Sequence, residues 1–256
     1  MKEKAFDVVV VGGGILGVSH AYHCLKAGLK VALLERDNGP QGASVRNFGQ
    51  VVPSGFGSRW QALGRRSLEH YNAIQAEVDI SVRNEGTVYI ANDEQEEQLL
   101  HELLVINKAN DYSSSLLTKA ECLERYPNLR PAYVRCGLFF PEELIVDPRV
   151  AVSRMIKYCE DALGLAYFPR HLVAGISEGN KGVHLCTAAG DLFAADKVFI
   201  CAGSEFNMLF PELFAKSPIR LVKLQMMETL PQQQARLRGS VLTGWTIRRY
   251  ESFKEC

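Results

Sequence analysis

The 256-residue chain has no excess of charge of either sign, because 29 basic residues balance 29 acidic ones. Without a one-signed field, neither a nucleic acid nor an anionic membrane surface is an expected partner. It also lacks paired cysteines. Cys24, Cys122, Cys136, Cys159, Cys186, Cys201 and Cys256 are scattered, with no C-x-x-C. An odd, unpatterned set reads as reduced thiols in a cytoplasmic protein, with Cys24 and Cys201, set in apolar stretches, as core residues. No apolar run is long enough to span a bilayer, and the longest is broken at Gly12–Gly14. A secretory leader is not expected: Lys2 and Lys4 precede an apolar run, but Glu3 and Asp7 interrupt the basic segment. Internal repeats and low-complexity segments are missing. No metal is expected either, since His20 and His23 form an H-x-x-H pair without an acidic partner and read as helix surface or packing. What remains is an ordinary globular composition, 47% hydrophobic and 23% charged, in a length that allows one large domain or two small ones.

The stretch that is present, and specific, runs from Asp7 to Asp37. Val8–Val11 is a short, wholly apolar run of the kind buried on both faces of a parallel sheet. Gly12, Gly14 and Gly17 follow as G-x-G-x-x-G: the first for a tight turn, the second for close backbone approach to a pyrophosphate, the third for packing of helix on strand. The helix runs to about Ala27 and stops at Gly28. A second strand, Lys30–Leu34, ends on Glu35, eighteen positions after Gly17, where a ribose hydroxyl would sit. Strand, turn, helix, strand and terminal acid agree on a dinucleotide site whose phosphates rest on the helix N-terminus.

Further along, NGPQGASVRNFGQVVPSGFGS reads as one long functional loop. Helical spacing follows over Arg59–Ala76, a strand within Ile80–Asn92, a helix over Glu94–Ala109, and a capping box at Thr118–Glu121 opening a short helix before Pro127. Val134–Phe140 reads as a strand. Asp147 and Pro148 start a helix to about Ala162 that Gly164 closes. Leu165–Phe168, Leu172–Ser177, Val183–Thr187 and Leu192–Ala194 read as one parallel strand and a meander, Lys197–Cys201 as a further buried strand, and Leu221–Thr229 and Val241–Tyr250 as strands of a second sheet.

The fingerprint, the GASVRNFGQVVPSG loop, the LIVDPRVAV helix start and the FICAGSEF strand together resemble the D-amino-acid oxidase superfamily of FAD-dependent oxidoreductases, which includes the glycine and sarcosine oxidases. SVRNFGQVVPSG is similar to a clade proposed to act in aminophosphonate breakdown. The resemblance covers essentially the whole chain. It implies that Ile15 and Leu16 place N–H groups on the FAD pyrophosphate. Glu35 would bind the adenosine ribose, with Arg36 beside the adenine. Ala43 and Ser44 would make a second pyrophosphate contact. Phe48, Gly49 and Gln50 would run along the flavin edge, Val173 would contact adenine through its backbone, and Ala202 and Gly203 would pack on the cofactor. Ser44 as a plain loop serine and Gln50 as a solvated residue stand as alternatives. Arg46 either binds a substrate anion or pairs with a carboxylate. Trp60 and Tyr71 read as core. No catalytic side chain is nominated. Members of the superfamily continue beyond the position matching Cys256, so a C-terminally truncated member is expected.

The expected fold is therefore α/β: a Rossmann-like parallel sheet with a β-meander for FAD, over residues 1–79 and 146–215, and an α+β substrate domain with a mainly antiparallel sheet over 80–145 and 216–256. The implied activity is oxidation of an amine C–N bond, in an amino acid or aminophosphonate, by hydride transfer to flavin N5. An NAD-dependent dehydrogenase and a non-catalytic flavin-binding remnant are the alternatives. Glu35 argues against NADP, because a carboxylate repels a ribose phosphate. A small-molecule amine is the expected partner, and a homo-oligomer is left open.

Overall fold

A computed structural model describes residues 3–180, 182–205, 207–232 and 237–256. Lys2, Lys181 of the GNKG turn and Phe206 of the FICAGSEF motif therefore lie outside the described residues. In chain order the elements are β1 (Lys4–Val11), α1 (Ile15–Lys26), β2 (Val31–Leu34), β3 (Gln50–Val51), α2 (Ser58–Glu77), β4 (Thr87–Ala91), α3 (Glu94–Ala109), β5 (Ser115–Thr118), α4 (Lys119–Arg125), β6 (Cys136–Phe140), β7 (Leu144–Ile145), α5 (Pro148–Leu163), β8 (Ala166–Phe168), β9 (Val173–Gly179), β10 (Gly182–Thr187), β11 (Leu192–Ile200), α6 (Pro211–Ala215) and β12 (Ser240–Thr243). They fall into two units, Met1–Phe48 with Pro148–Met226, and Gly49–Asp147 with Met227–Cys256.

The first unit is built on a six-stranded sheet of order β8-β2-β1-β11-β10-β9. The first four strands are parallel, while β10 and β9 run antiparallel as a meander. Val8–Val11 and Val31–Leu34 pair in register and are buried throughout, as their unbroken apolar runs require. Each buried valine or leucine of these runs contributes about 2 kcal/mol. Val9, Val11, Ala32, Leu34, Val173, Leu185, Phe193 and Ala195 form one core cluster, and α1 packs against α5. Gly28, at φ +81°, follows the Ala27 cap and lets the chain turn into β2.

The second unit carries a four-stranded sheet of order β12-β4-β6-β5, in which only the β12–β4 pair is parallel, and the two-stranded pair β3–β7. One core gathers Tyr89, Leu100, Leu103, Tyr112, Leu138, Phe140, Leu242 and Phe253; another gathers Val88, Ile90, Cys122, Tyr126, Val134 and Phe139. The expected capping box is formed: the Thr118 hydroxyl accepts from Glu121 N–H, and the Glu121 carboxylate takes the Thr118 N–H.

Several elements differ from expectation. The stretch after Asp37 is not one loop. It contains 3-10 turns at Ala43–Val45 and Pro53–Gly55 and the strand β3, which finds its partner at Leu144–Ile145. Residues 49–79 group with the second unit, where Gln61 bonds Asn107 and Arg65 reaches the Asn110 carbonyl. Leu192–Ile200 is one continuous strand because it pairs with β1 from Phe193 to Ile200, and near its end Val198 and Phe199 are only partly buried and Ile200 is exposed. Leu221–Thr229 forms no strand, since it has no pairing partner among the described residues. Of the last expected strand, Val241–Tyr250, only Val241–Thr243 is extended and paired, within β12, with turns following it. Strands β5 and β7 and helix α6 carried no expectation.

Candidate functional site

The order β2-β1-β11 leaves a crevice at the carboxyl end of β1, where chain connections depart to opposite sides, the usual ligand position in an open parallel sheet. A cleft opens there. Of the residues nominated from sequence, Gly12, Gly14, Glu35, Arg36, Ala43, Ser44, Val173, Ala202 and Gly203 line it.

The glycines explain the shape of its floor. Gly12 has φ +104°, and a Cβ there would lie 2.3 Å from the Cys201 carbonyl oxygen. A Cβ on Gly17 would lie 1.8 Å from the Gly12 carbonyl oxygen, so Gly17 is required by packing and lies beneath the cleft rather than in its wall. Gly14 is different. A Cβ there would lie 3.0 Å from the Ser44 hydroxyl and 3.9 Å from its Cβ, so that one side chain would have to give by a few tenths of an ångström. Packing thus constrains Gly14 far less than Gly17, and through a side chain rather than backbone.

At the start of α1, the N–H groups of Gly14 and Leu16 have no acceptor among the described residues. The Ile15 N–H is taken by Ser44 Oγ at 2.9 Å, across 29 residues of chain. Ser44 is held for this by the 3-10 turn Ala43–Val45, which packs against α5 and is tied by Asn47 Nδ2 donating to the Ala43 and Ser44 carbonyls. Free N–H groups at a helix start, with the macrodipole behind them, favour an anion. Leu16 itself points to solvent, 65% exposed, and Ile15 and Leu16 bring backbone rather than side chain to this end of the helix.

Glu35, at the end of β2, lines the cleft beside the glycine turn. It is buried, its Oε2 accepting the Gly13 N–H at 2.7 Å and its Oε1 the Asp37 N–H at 2.9 Å. Two backbone bonds fix the carboxylate, and each oxygen keeps a lone pair for a hydroxyl donor. Leu172, Val173, Met208 and Leu209 supply apolar wall, and Arg36, Asp37 and Glu205 rim it with charge. His171, Glu205, Met208 and Leu209 were not foreseen; Glu205 lies in the FICAGSEF motif but was given no role, and the other three follow strands without any motif, so only the fold brings them to the cleft.

The remaining nominated residues are not part of that wall. Phe48 is 65% exposed at the end of a first-unit segment. Gly49, at φ +69°, accepts from the Val146 N–H, and Gln50 pairs with Ile145 in β3–β7, so both belong to the second unit. Gln50 is thus a strand residue rather than a plain solvated one. Arg46 makes no ion pair among the described residues, so its guanidinium is not spent on a protein carboxylate. Among the described residues no three His, Cys, Asp or Glu side chains gather to hold a metal, and no helix is long and apolar enough to cross a membrane.

Inside the second unit sits a buried polar group with no sequence signal. Glu143 Oε1 accepts the Ser54 N–H at 2.7 Å and the Tyr112 hydroxyl at 2.9 Å, and Ser54 Oγ lies 3.0 Å from the Tyr89 hydroxyl. Glu143 Oε2 and Thr87 Oγ1 are buried and, among the described residues, within hydrogen-bond geometry of no partner. Burial pushes the Glu143 carboxyl up to about 7, against the lowering effect of its donors.

Fold and cleft together define a dinucleotide-binding α/β protein. The profile of the DAO family, FAD dependent oxidoreductases, matches residues 7–250, and the chain belongs to that family, with FAD as its cofactor. It is 27% identical over 207 residues to L-2-hydroxyglutarate dehydrogenase of Escherichia coli O17:K52:H18, covering 77% of this chain and 47% of that one. It is 25% identical to the glycine oxidase of Geobacillus kaustophilus, over 78% of this chain and 55% of that one. The chain thus spans about half the length of the curated relatives it matches. The solved L-proline dehydrogenase from P. horikoshii shares the fold with a TM-score of 0.79 at 21% identity, covering 95% of this chain and 65% of that one.

Proposed function

We propose that this chain is the FAD-binding and part of the substrate-binding portion of an oxidoreductase that oxidises the C–N bond of a small amine, an amino acid or an aminophosphonate. The first unit is read as the cofactor domain and the second as the substrate domain. Bound FAD supplies a two-electron acceptor for the hydride leaving the carbon that carries nitrogen. This chain's own residues bind and orient it. The N–H groups at Gly14 and Leu16, with Ile15 and Ser44, would hold the pyrophosphate. Glu35 would take the ribose hydroxyls, Arg36 would lie beside the adenine, and Val173, Ala202 and Gly203 would line the slot. Phe48, Gly49 and Gln50 are assigned to the flavin edge by the family resemblance. No side chain is required as a general base if the amine binds neutral. Seven free thiols suit a reducing, cytoplasmic setting.

The observation that carries the reading is Gly14. Only one side chain, Ser44, crowds a Cβ at this position, and beside it stand helix N–H groups with no acceptor among the described residues and a buried acid held by two backbone N–H groups. The aminophosphonate or amino-acid assignment rests on Arg46, a cation with no protein partner among the described residues and with fork geometry suited to carboxylate or phosphonate. A second reading, a 2-hydroxy acid oxidised at C–O, draws on the named activity of the hydroxyglutarate relative. Turnover of amino acids, aminophosphonates and 2-hydroxy acids with an artificial electron acceptor separates these readings. Reduction by anionic amines supports the first, and reduction by hydroxy acids alone refutes it.

A further inference from the structure

We infer that Glu143 is a carboxylic acid in the folded protein, its proton carried on Oε2 and donated to Thr87 Oγ1, and that this acid is a proton-held clasp for the segment Gly49–Ser54. The inference stands apart from the nucleotide reading, since every residue in it belongs to the second unit.

The segment runs antiparallel to the chain ahead of Asp147. The Gly49 carbonyl accepts the Val146 N–H at 2.8 Å, and Gln50 and Val51 pair with Ile145 and Leu144. A pair of two-residue strands is marginal by itself. Glu143 is the next residue along, and there a side chain takes over from the backbone: Oε1 accepts the Ser54 N–H at 2.7 Å. The Glu143 carbonyl accepts the Gly86 N–H at 3.1 Å, which sets the residue beside Thr87. One buried carboxyl thus closes the open end of the ribbon.

The donors to that carboxyl are unevenly shared. Oε1 takes both the Ser54 N–H and the Tyr112 hydroxyl, filling the two lone pairs of a carbonyl-type oxygen. Oε2 takes none. Thr87 Oγ1, which bears on the same carboxyl, is likewise without a partner in hydrogen-bond geometry among the described residues. A carboxylate carries charge on both oxygens and would leave one of them buried and bare. A neutral acid suits the same surroundings, with Oε1 as carbonyl, Oε2 as hydroxyl and Thr87 Oγ1 as acceptor. Charged groups on the surrounding elements are engaged elsewhere: Glu142 with Arg65 of α2, Arg83 with Asp79, and Glu251 with the Gly57 N–H. The titratable neighbours are phenols. Tyr89 and Tyr112 are pushed up by burial and then by Glu143, so both keep their protons, and Tyr250 packs edge-on against Tyr89.

Burial holds the Glu143 proton to about pH 7. Once it leaves, the clasp keeps its two donors but carries a buried charge with no ion-pair partner among the described residues. Opening of the segment, which brings water to the carboxylate, then becomes easier.

Infrared difference spectra between pH 5.5 and 8.5, on the parent, Glu143→Gln and Thr87→Val, read the proton directly. A protonated-carboxyl C=O band that disappears through about pH 7 in the parent, is absent from Glu143→Gln and is shifted in Thr87→Val is the expected result. Hydrogen exchange at the Ser54 amide, corrected for its intrinsic pH dependence, reads the clasp. Protection in the parent should fall about tenfold per pH unit from about 5 to 7 and then level off. Glu143→Gln, whose carboxamide donates to Thr87 in place of the acid, should show no such slope. Ser54 should exchange ahead of the β4 amides in both proteins. Absence of the acid band from the parent, or a band unmoved in Thr87→Val, overturns the proton assignment; the parent and Thr87→Val decide this even if Glu143→Gln does not fold. Equal slopes in the parent and Glu143→Gln, or exchange of Ser54 together with β4, overturn the clasp.

Discussion

Gly12 and Gly17 touch: the carbonyl oxygen of the first occupies the place a Cβ on the second would need, at 1.8 Å. Gly17→Ala must therefore push α1 off β1, at a cost of roughly 2–4 kcal/mol. Chemical denaturation should show the midpoint falling. A variant as stable as the parent would mean that helix and strand are not packed this closely.

Gly14→Ala is expected to behave oppositely. The methyl group meets one side chain, Ser44, whose hydroxyl must give by a few tenths of an ångström, so stability should change by about 1 kcal/mol at most, while FAD affinity falls more than tenfold. Stability and FAD affinity measured on the same preparation separate the two glycines. Unchanged affinity would remove the pyrophosphate from this turn.

Glu35→Gln keeps the shape but weakens both the acceptor for ribose hydroxyls and the bonds from the Gly13 and Asp37 N–H groups. The affinity for 5′-ADP should fall about tenfold, one charged hydrogen bond's worth. Calorimetric titration with 5′-ADP checks this, and equal affinity would place the ribose elsewhere.

Glu143 gives stability a pH dependence. Its carboxyl titrates near 7 in the folded protein against an ordinary 4.5, so the folded state keeps a proton that the unfolded chain has released. Stability should therefore fall as pH rises from about 4.5 through 7, by up to roughly 3 kcal/mol from this group. Glu143→Gln keeps an acceptor for Ser54 and Tyr112 and should flatten that slope. Denaturation of both proteins at pH 5, 6, 7 and 8 reads the difference, and parallel slopes would clear Glu143 of any part.

The first βαβ unit was legible because its determinants are local: unbroken apolar strands, three glycines at fixed offsets, and an acid at the end of β2. The Thr118–Glu121 capping box was legible for the same reason. Pairing was not. Gln50 reads as loop until Ile145 supplies its strand partner, and Leu221–Thr229 has strand-like composition but nothing to pair with among the described residues. The two strands expected at Leu192–Ala194 and Lys197–Cys201 are joined through Ala195 and Asp196, because pairing with β1 resumes on both sides of the polar Asp196. Of the site, most of the motif residues were found and the apolar wall was not, because Leu172, Met208 and Leu209 gain their role only where the strands end beside β1.

Arg46→Met should raise the KM for an anionic amine about tenfold with kcat little changed, if the guanidinium binds the substrate anion. Steady-state kinetics with an artificial electron acceptor give both constants. An unchanged KM would leave Arg46 without a substrate role.

The most direct test of the central claim is titration of FAD into the purified parent and into Gly14→Ala, followed by flavin fluorescence, with the nucleotide released from the protein as purified identified alongside. Saturable binding of FAD by the parent, its loss in the folded variant, and FAD as the released nucleotide are the predicted results. NAD as the released nucleotide, or equal binding of FAD by both proteins, would contradict the account.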